Sequence, residues 1–162
     1  ILRGLIRFFD LPMSSMSAGD PDQENLQLTM NGKSISVAPA ICYEVAYGET
    51  LRRKGIGSSV IVNVSNDTWF GETDGPLQHL QIARVRALEN GKPLLRATNN
   101  GVTAVIDKRG KIIARLPQFE SGVLSASVRF TSGRTPYSYT GDWPLLTLIL
   151  LGFLWGYRTR KP

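Results

Sequence analysis

Alternating and continuous apolar stretches in the first half of the chain predict three strands. Leu26 to Met30, the pair Asn31-Gly32 and the alternating stretch Ser34 to Ile41 predict a β-hairpin, because Asn-Gly supplies the positive φ angles of a type I′ turn. Val60 to Val64 is β-branched and almost wholly apolar, which is typical of a central strand covered on both faces.

The pattern changes to a helical one between Pro76 and Gly91. Proline fits the first turn of a helix, and glycine is a good terminator. Apolar residues at helical spacing predict a side that faces the core, formed by Leu77, Leu80, Ala83, Ala87 and Leu88. A shorter helix is predicted over Leu51 to Lys54, ending near Gly55 or Gly57.

Further strands are predicted beyond this helix, at Leu94 to Thr98, Thr103 to Asp107, Lys111 to Leu116 and Val123 to Phe130. Lys108-Arg109-Gly110 forms a tight hairpin between the second and third of these. A short helix is expected over Ile1 to Phe9 and a loop from Met13 to Glu24. Strands on either side of a helix, with a covered central strand, indicate an α/β layered domain, here residues 1–140.

An uncharged apolar segment, Trp143 to Tyr157, follows this domain. At ~1.5 Å per residue it spans roughly 22 Å, short of the ~30 Å hydrocarbon core, so a buried or docking helix is an alternative to a transmembrane helix. Aromatic residues at both ends and the basic tail 158–162 favour the membrane. The positive-inside rule then places the tail in the cytoplasm and the domain on the outer, periplasmic face.

Composition and charge narrow the classes of protein. With 162 residues, 20% of them charged and 42% apolar, the chain is expected to fold into one domain. The net charge of +6 suggests affinity for an acidic surface. Anionic lipid is favoured over nucleic acid, because the basic residues are scattered and no nucleic-acid motif accompanies them. Since the chain begins with Ile1 rather than Met, we expect it to be part of a longer protein.

Cys42 is the only cysteine, which excludes an intramolecular disulfide and a multi-cysteine metal site. It follows a predicted strand at the start of a turn, where a nucleophile stays accessible while rigid structure holds it. A buried, inert thiol is the alternative. His79 is the only histidine, so a Cys-His dyad is a rival chemistry. No orienting acid for His79 is evident from the sequence, and a structural role is favoured.

Five segments carry a resemblance to a known family. They are Ile41 to Glu44, Phe8 to Ser15, Ser65 to Gly71, Gln78 to Arg84 and Arg96 to Gly101. The first resembles the nucleophile segment of the nitrilase superfamily. Together, with the apolar tail, they resemble the C-terminal part of the apolipoprotein N-acyltransferase family. The resemblance implies part of a nitrilase-like αββα sandwich followed by a C-terminal transmembrane helix in the bacterial inner membrane.

The resemblance also implies a reaction. A phospholipid donates a fatty acyl chain to Cys42 as a thioester, and the chain passes to the N-terminal amine of a diacylglyceryl-modified apolipoprotein. No cofactor or metal and no nucleic acid is expected. A glutamate base and a lysine are implied as well. Neither Glu24 nor Lys33 lies in the family's context, so both are expected upstream of Ile1, and the isolated chain is expected to be inactive.

Specific roles follow for the remaining site residues. The Tyr43 backbone N–H, next to the nucleophile, is the expected oxyanion donor, and Glu44 is expected to orient the site. Candidate substrate-binding residues follow the central strand: Asn66, Asp67, Trp69 and Phe70. Simple packing is an equal alternative for Trp69 and Phe70. Two other functions stay open, a nitrilase-type amidase and a non-catalytic module anchored in a membrane.

Overall fold

The computed structural model describes residues 19–20 and 23–159. The predicted helix Ile1 to Phe9, most of the predicted loop Met13 to Glu24 and the end of the basic tail lie outside the described residues. The described strands are β1 (Leu26–Met30), β2 (Lys33–Ile41), β3 (Val60–Asn66), β4 (Leu94–Asn99), β5 (Ala104–Ile106) and β6 (Ile112–Arg115). The α-helices are α1 (Gly48–Gly55), α2 (Gly75–Asn90), α3 (Pro136–Thr140) and α4 (Trp143–Thr159), with 3₁₀ turns at Cys42–Ala46 and Thr68–Phe70.

The six strands form one sheet in sequence order. The β1–β2 pair is an antiparallel hairpin. Asn31 and Gly32 at its turn both have positive φ, as predicted. Strands β2, β3 and β4 are parallel, whereas β5 and β6 return antiparallel. The carboxyl ends of the three parallel strands therefore lie at one edge of the sheet.

Helices α1 and α2 cover one face of this sheet and form the main core. Helix α2 has Pro76 in its first turn and ends at Gly91, whose φ of 63° is left-handed, as the sequence predicted. The core comprises Ala38, Ala40, Val45, Leu51, Ile61, Leu80, Ala83, Ala87, Leu94, Val102, Ala104 and Ile106. Leu77 and Leu88 were predicted to face this core but are exposed, because the buried stripe of α2 is narrower than its apolar pattern.

The opposite face of the sheet carries a smaller buried cluster of Ile35, Val37 and Val60. Val64, at the end of β3, is 48% exposed on this face. The prediction that the central strand is covered on both faces is therefore correct at its start and wrong at its end. The α/β layered domain is confirmed, with helices on one side of the sheet.

The predicted strand Val123 to Phe130 is wrong. In the described part of the chain this segment is irregular, and Val123 is 92% exposed. Alternation of side chains sets which face a strand would bury, but a strand also requires a neighbour that pairs with its backbone. The segment ends at a single backbone bond from Thr131 N–H to Ser59 O, at 3.2 Å.

Helix α4 corresponds to the predicted transmembrane helix. It has 17 residues, which span about 26 Å at ~1.5 Å per residue, and none of its described residues is buried. Within residues 19–20 and 23–159, no helix combines the length and the apolarity needed to cross a membrane. The structure therefore does not support the predicted transmembrane span.

The segment before α4 is fastened to the domain by polar contacts. The Lys92 ammonium donates to the carbonyls of Thr131 and Gly133, at 3.2 and 3.0 Å. Burial lowers the pKa of Lys92. Arg52 donates to the Ser138 carbonyl at 2.8 Å. These contacts link α3 to α1 and to the sheet.

Candidate active site

Cys42 lies at the carboxyl end of β2, where the chain leaves the sheet through the 3₁₀ turn Cys42–Ala46. Its φ is +51°, a left-handed conformation that is uncommon for a residue with a side chain and that stores strain when it occurs. Its side chain is partly exposed. A sharp turn after a strand thus presents the thiol at the sheet edge instead of burying it in the core, as the sequence predicted.

The partly exposed Glu44 side chain bonds back to the start of this turn. Its carboxylate accepts a hydrogen bond from the Ile41 N–H at 2.8 Å, so that the bond spans Cys42. Its backbone carbonyl accepts from the Tyr47 N–H at 3.1 Å. Lys54 Nζ lies 3.9 Å from the carboxylate, a contact of partly exposed groups that contributes little energy. The orienting role expected for Glu44 stays a prediction.

Tyr43 directly follows Cys42. The first N–H groups of a helical turn have no acceptor within that turn, so this position suits the oxyanion donor predicted there. The Tyr43 ring is exposed and packs edge-on against Tyr47, with centroids 5.9 Å apart. The centroid of the Tyr43 ring also lies 6.0 Å from that of the His79 ring.

A buried polar cluster of Asn63, Asp67, His79 and Arg96 lies beneath the turn, with every member at most 2% exposed. Asn63 and Arg96 are register partners on neighbouring strands β3 and β4. One guanidinium nitrogen of Arg96 donates to Asn63 Oδ1, and the other donates to Asp67 Oδ2 at 2.7 Å. Asn63 Nδ2 in turn donates to the carbonyls of Ala40 and Cys42, at 3.0 and 3.3 Å.

Asp67 and His79 form the other end of the cluster. His79 Nδ1 lies 3.0 Å from Asp67 Oδ1 and 3.0 Å from Arg96 Nη2. Ser65 Oγ donates to the same Asp67 oxygen at 2.7 Å. The sequence showed no orienting acid for His79, and that interpretation is wrong, because Asp67 is brought to it from the adjacent loop.

Burial and the charges within the cluster shift the pKa values of Asp67 and Arg96. Burial alone would raise the pKa of Asp67, but hydrogen bonds from His79 and Ser65 and the charge of Arg96 outweigh it, so the pKa falls below the ordinary 3.8. Burial lowers the pKa of Arg96, although the charge of Asp67 and its hydrogen bond to the guanidinium act in the opposite direction. Asp67 is therefore a carboxylate, buried against a guanidinium.

The Thr68–Phe70 turn follows Asp67 at the same edge of the sheet. Asn66 Oδ1 accepts from the Thr68 hydroxyl at 2.6 Å. Trp69 is 90% exposed, so packing under the loop, the alternative considered for it, does not apply. Phe70 is half-buried and lies 6.2 Å from the His79 ring. The turn thus presents one free aromatic side chain beside one anchored aromatic side chain.

The predicted site residues fall into two groups. Cys42, Tyr43 and Glu44 share one turn, and Asn66, Trp69 and Phe70 lie on the next turn along the sheet edge. Asp67 belongs to neither surface, because its side chain is fully buried. Its substrate-binding role stays a prediction that this position does not favour. Across residues 19–20 and 23–159, no group of three or more His, Cys, Asp or Glu side chains could hold a metal ion.

Sequence reasoning missed Asn63 and Arg96 as parts of the site. Each is a polar residue in a predicted strand that is otherwise mostly apolar: Asn63 in Val60 to Val64, and Arg96 in Leu94 to Thr98. A polar residue at a position that should face the core is an error unless it is paired or functional. That signal was present in the sequence, although it did not identify the partners.

Comparisons with known proteins show the family of the chain. A family model described as carbon-nitrogen hydrolase matches residues 11–135. A protein named apolipoprotein N-acyltransferase from Shewanella oneidensis is 51% identical over 159 residues, which are 95% of this chain and 30% of the relative. One of the same name from Vibrio vulnificus is 53% identical over 152 residues, covering 93% and 29%. The chain thus spans about a third of the length of these relatives.

Solved structures give the fold. An amidase of the nitrilase superfamily from Nesterenkonia superimposes with a TM-score of 0.50 at 23% identity. The match covers 67% of this chain and 42% of the amidase. The expectation of a nitrilase-like α/β fold is confirmed.

Proposed function

Because the chain belongs to the carbon-nitrogen hydrolase family, we propose that it carries the nucleophile of an apolipoprotein N-acyltransferase. Cys42 takes a fatty acyl chain from a phospholipid and passes it to the N-terminal amine of a diacylglyceryl-modified apolipoprotein. The observation that carries this proposal is the thiol in a left-handed turn at the edge where three parallel strands end. The names of relatives about 50% identical supply the substrate class.

The reaction proceeds in two balanced steps. In the first, the Cys42 thiolate attacks the acyl carbonyl carbon of the phospholipid and the C–O bond breaks. The lysophospholipid oxygen takes up a proton, and the acyl chain stays on sulfur as a thioester. In the second, the acceptor amine attacks this carbonyl, the C–S bond breaks, the amine loses a proton to a base and the thiolate is regenerated.

The residues around Cys42 have separate roles in both steps. The Tyr43 N–H donates to the oxygen that becomes negative in each tetrahedral intermediate. Glu44 holds the backbone of the turn through its bond to Ile41 N–H. Trp69 and Phe70 contact the acyl chain or the acceptor lipid at the mouth of the site. The glutamate base and the lysine of the family are not assigned to any residue of this chain.

The acyl-enzyme test uses the full-length gene product in membranes with phospholipid. Intact-protein mass spectrometry is expected to find a fatty-acyl adduct on Cys42 that hydroxylamine removes and that Cys42→Ala lacks. An unmodified Cys42 that iodoacetamide alkylates would instead favour a nitrilase-type amidase. A thiol that resists alkylation would favour a module without catalytic function.

We also propose that α4 attaches the domain to the membrane. Its side chains are mostly apolar and none of its residues is buried, with Trp143, Phe153 and Trp155 each more than 70% exposed. Apolar surface of this size on one element marks an interaction with a membrane or another protein. Since both substrates carry lipid chains, α4 holds the catalytic domain at the lipid surface of the bacterial inner membrane, facing the periplasm.

This attachment is tested with a fluorophore sensitive to polarity. It is placed at Leu150→Cys on α4, and at Lys108→Cys on the β5–β6 hairpin as the matched control, both in a Cys42→Ala background. On addition of phospholipid vesicles the label at 150 is expected to shift to shorter wavelength, while that at 108 stays unchanged. Equal behaviour of the two labels would exclude insertion of α4 into lipid.

A further inference from the structure

The buried polar cluster lies in the protein interior, where apolar side chains of the same volume would stabilise the fold at least as well. Asn63 and Arg96 lie on the helix-covered face of the sheet, among the buried side chains of Ala40, Ile61 and Leu94. Buried ion pairs seldom stabilise a fold more than apolar groups of the same volume, because both charges lose their hydration. Their presence here calls for a role other than stability.

One end of the cluster holds the nucleophile. The Asn63 amide bridges two carbonyls on either side of the end of β2, those of Ala40 and Cys42. Arg96 donates to the Asn63 oxygen, which leaves the amide nitrogen to face these carbonyls. Arg96 therefore fixes the orientation of the amide that restrains Cys42 in its left-handed conformation.

The other end holds the neighbouring turn. The Asp67 carbonyl accepts from the Phe70 N–H, and the Asp67 N–H donates to the Asn99 carbonyl, each at 3.0 Å. The His79 ring lies near the rings of both Tyr43 and Phe70, with centroids 6.0 and 6.2 Å away. Both turns at the sheet edge therefore rest on one connected set of side chains.

We propose that Asn63, Asp67, His79 and Arg96 are positioning residues that lock the Cys42 turn and the Thr68–Phe70 turn to each other. The chemistry at Cys42 then depends on side chains that never touch a substrate. This inference rests on the proposed acyl-transfer function, but it also predicts how readily the thiol reacts with a simple alkylating agent. That second readout needs no lipid.

The test compares two substitutions of the same chemistry in the full-length gene product. Asn63→Asp keeps the size of the side chain and an acceptor for Arg96, but it removes both N–H donors from the carbonyls of Ala40 and Cys42. Asn90→Asp is the matched control. Asn90 is equally buried, and its amide donates to the Arg86 carbonyl at 2.9 Å, within α2.

Two rate constants are measured per folded molecule. The first is single-turnover thioester formation on Cys42 as phospholipid is varied, and the second is alkylation of Cys42 by iodoacetamide. Asn63→Asp is expected to lower the saturating rate of thioester formation by about 10- to 100-fold, because misplacement of a nucleophile by about 1 Å costs that much. The half-saturating phospholipid concentration stays unchanged, whereas the alkylation rate changes. Asn90→Asp leaves both rates per folded molecule at the wild-type value.

The inference is overturned if Asn63→Asp matches the wild type in both rates, whatever its stability. If the wild type forms no thioester, the proposed function fails, and the alkylation rates alone decide the inference. Should Asn63→Asp not fold, Arg96→Lys takes its place, because lysine keeps the charge but cannot donate to Asn63 and Asp67 with one planar group. Its control is Arg84→Lys, whose arginine donates to Gly110 O at the far end of the domain.

Discussion

Replacement of Gly101 by alanine tests how tightly the buried polar cluster is packed. A Cβ atom at this position would lie 2.8 Å from both Cβ and Cγ of Asp67 and closer still to its Oδ2. Asp67 cannot rotate away, because Ser65, His79 and Arg96 all hold its carboxylate. Ordinary contact begins near 3.4 Å, so the carboxylate or the Gly101 backbone must move by more than half an ångström.

The expected loss of stability follows from that displacement. Overpacking of a tight core costs roughly 1–3 kcal/mol, and weakening a buried ion pair adds to it. We expect Gly101→Ala to lower the free energy of unfolding by about 3 kcal/mol. The unfolding temperature is expected to fall with it.

The assay is thermal unfolding of the purified full-length gene product, with Gly122→Ala as the control. A Cβ at Gly122 meets only Leu116, at 3.4 Å, and therefore fits. If the two variants unfold at the same temperature, Gly101 can move freely and the cluster is not the rigid support described above.

Three further outcomes follow from the same contacts. Trp69→Ala is expected to leave the unfolding temperature unchanged, since the side chain is 90% exposed. It is expected to raise the half-saturating phospholipid concentration. If that concentration does not change, Trp69 is not part of the substrate site. Because the pKa of Asp67 is lowered in the folded state, its carboxylate stabilises the fold above pH ~3.8, and this stability is lost as the pH falls through the folded-state pKa. Unfolding temperatures measured from pH 5 to pH 2 should therefore fall less steeply in Asp67→Asn than in the wild type. Thr135 caps α3 because its hydroxyl oxygen accepts from the Ser138 N–H. Thr135→Ala should therefore lower the free energy of unfolding in urea by about 1 kcal/mol, whereas Thr135→Ser should keep the wild-type value. Equal losses in both variants would show that the hydroxyl is not the cause.

Local signals explain what the sequence predicted well. Asn31-Gly32 sets a hairpin because only such residues adopt two successive positive φ angles readily. Pro76 and Gly91 bound α2 for equally local reasons, the fixed φ of proline and the left-handed freedom of glycine. The turn that presents Cys42 was likewise predicted from the strand that precedes it. In each case the decisive interaction lies within a few residues.

The wrong predictions depend on partners that a local pattern does not contain. Val123 to Phe130 alternates like a strand, yet pairing requires a free sheet edge at the right distance. Leu77 and Leu88 fit the apolar stripe of α2, but they lie outside its buried side, 48% and 54% exposed. The predicted span over α4 is a different case: the segment is plainly apolar, but among residues 19–20 and 23–159 no helix is long and apolar enough to cross a membrane.

The buried polar cluster is the extreme case of this limit. Its bonds join residues 12, 29 and 33 positions apart, and each residue alone has an ordinary explanation. His79 is one polar residue on a helix, Arg96 interrupts a strand and Asp67 follows one. Only the parallel arrangement of β2, β3 and β4 brings them under the same turn. A functional site at the carboxyl ends of parallel strands therefore depends on the residues that lie just before those ends. A polar residue at such a position in an apolar strand is a candidate for a functional role and should be tested by mutation.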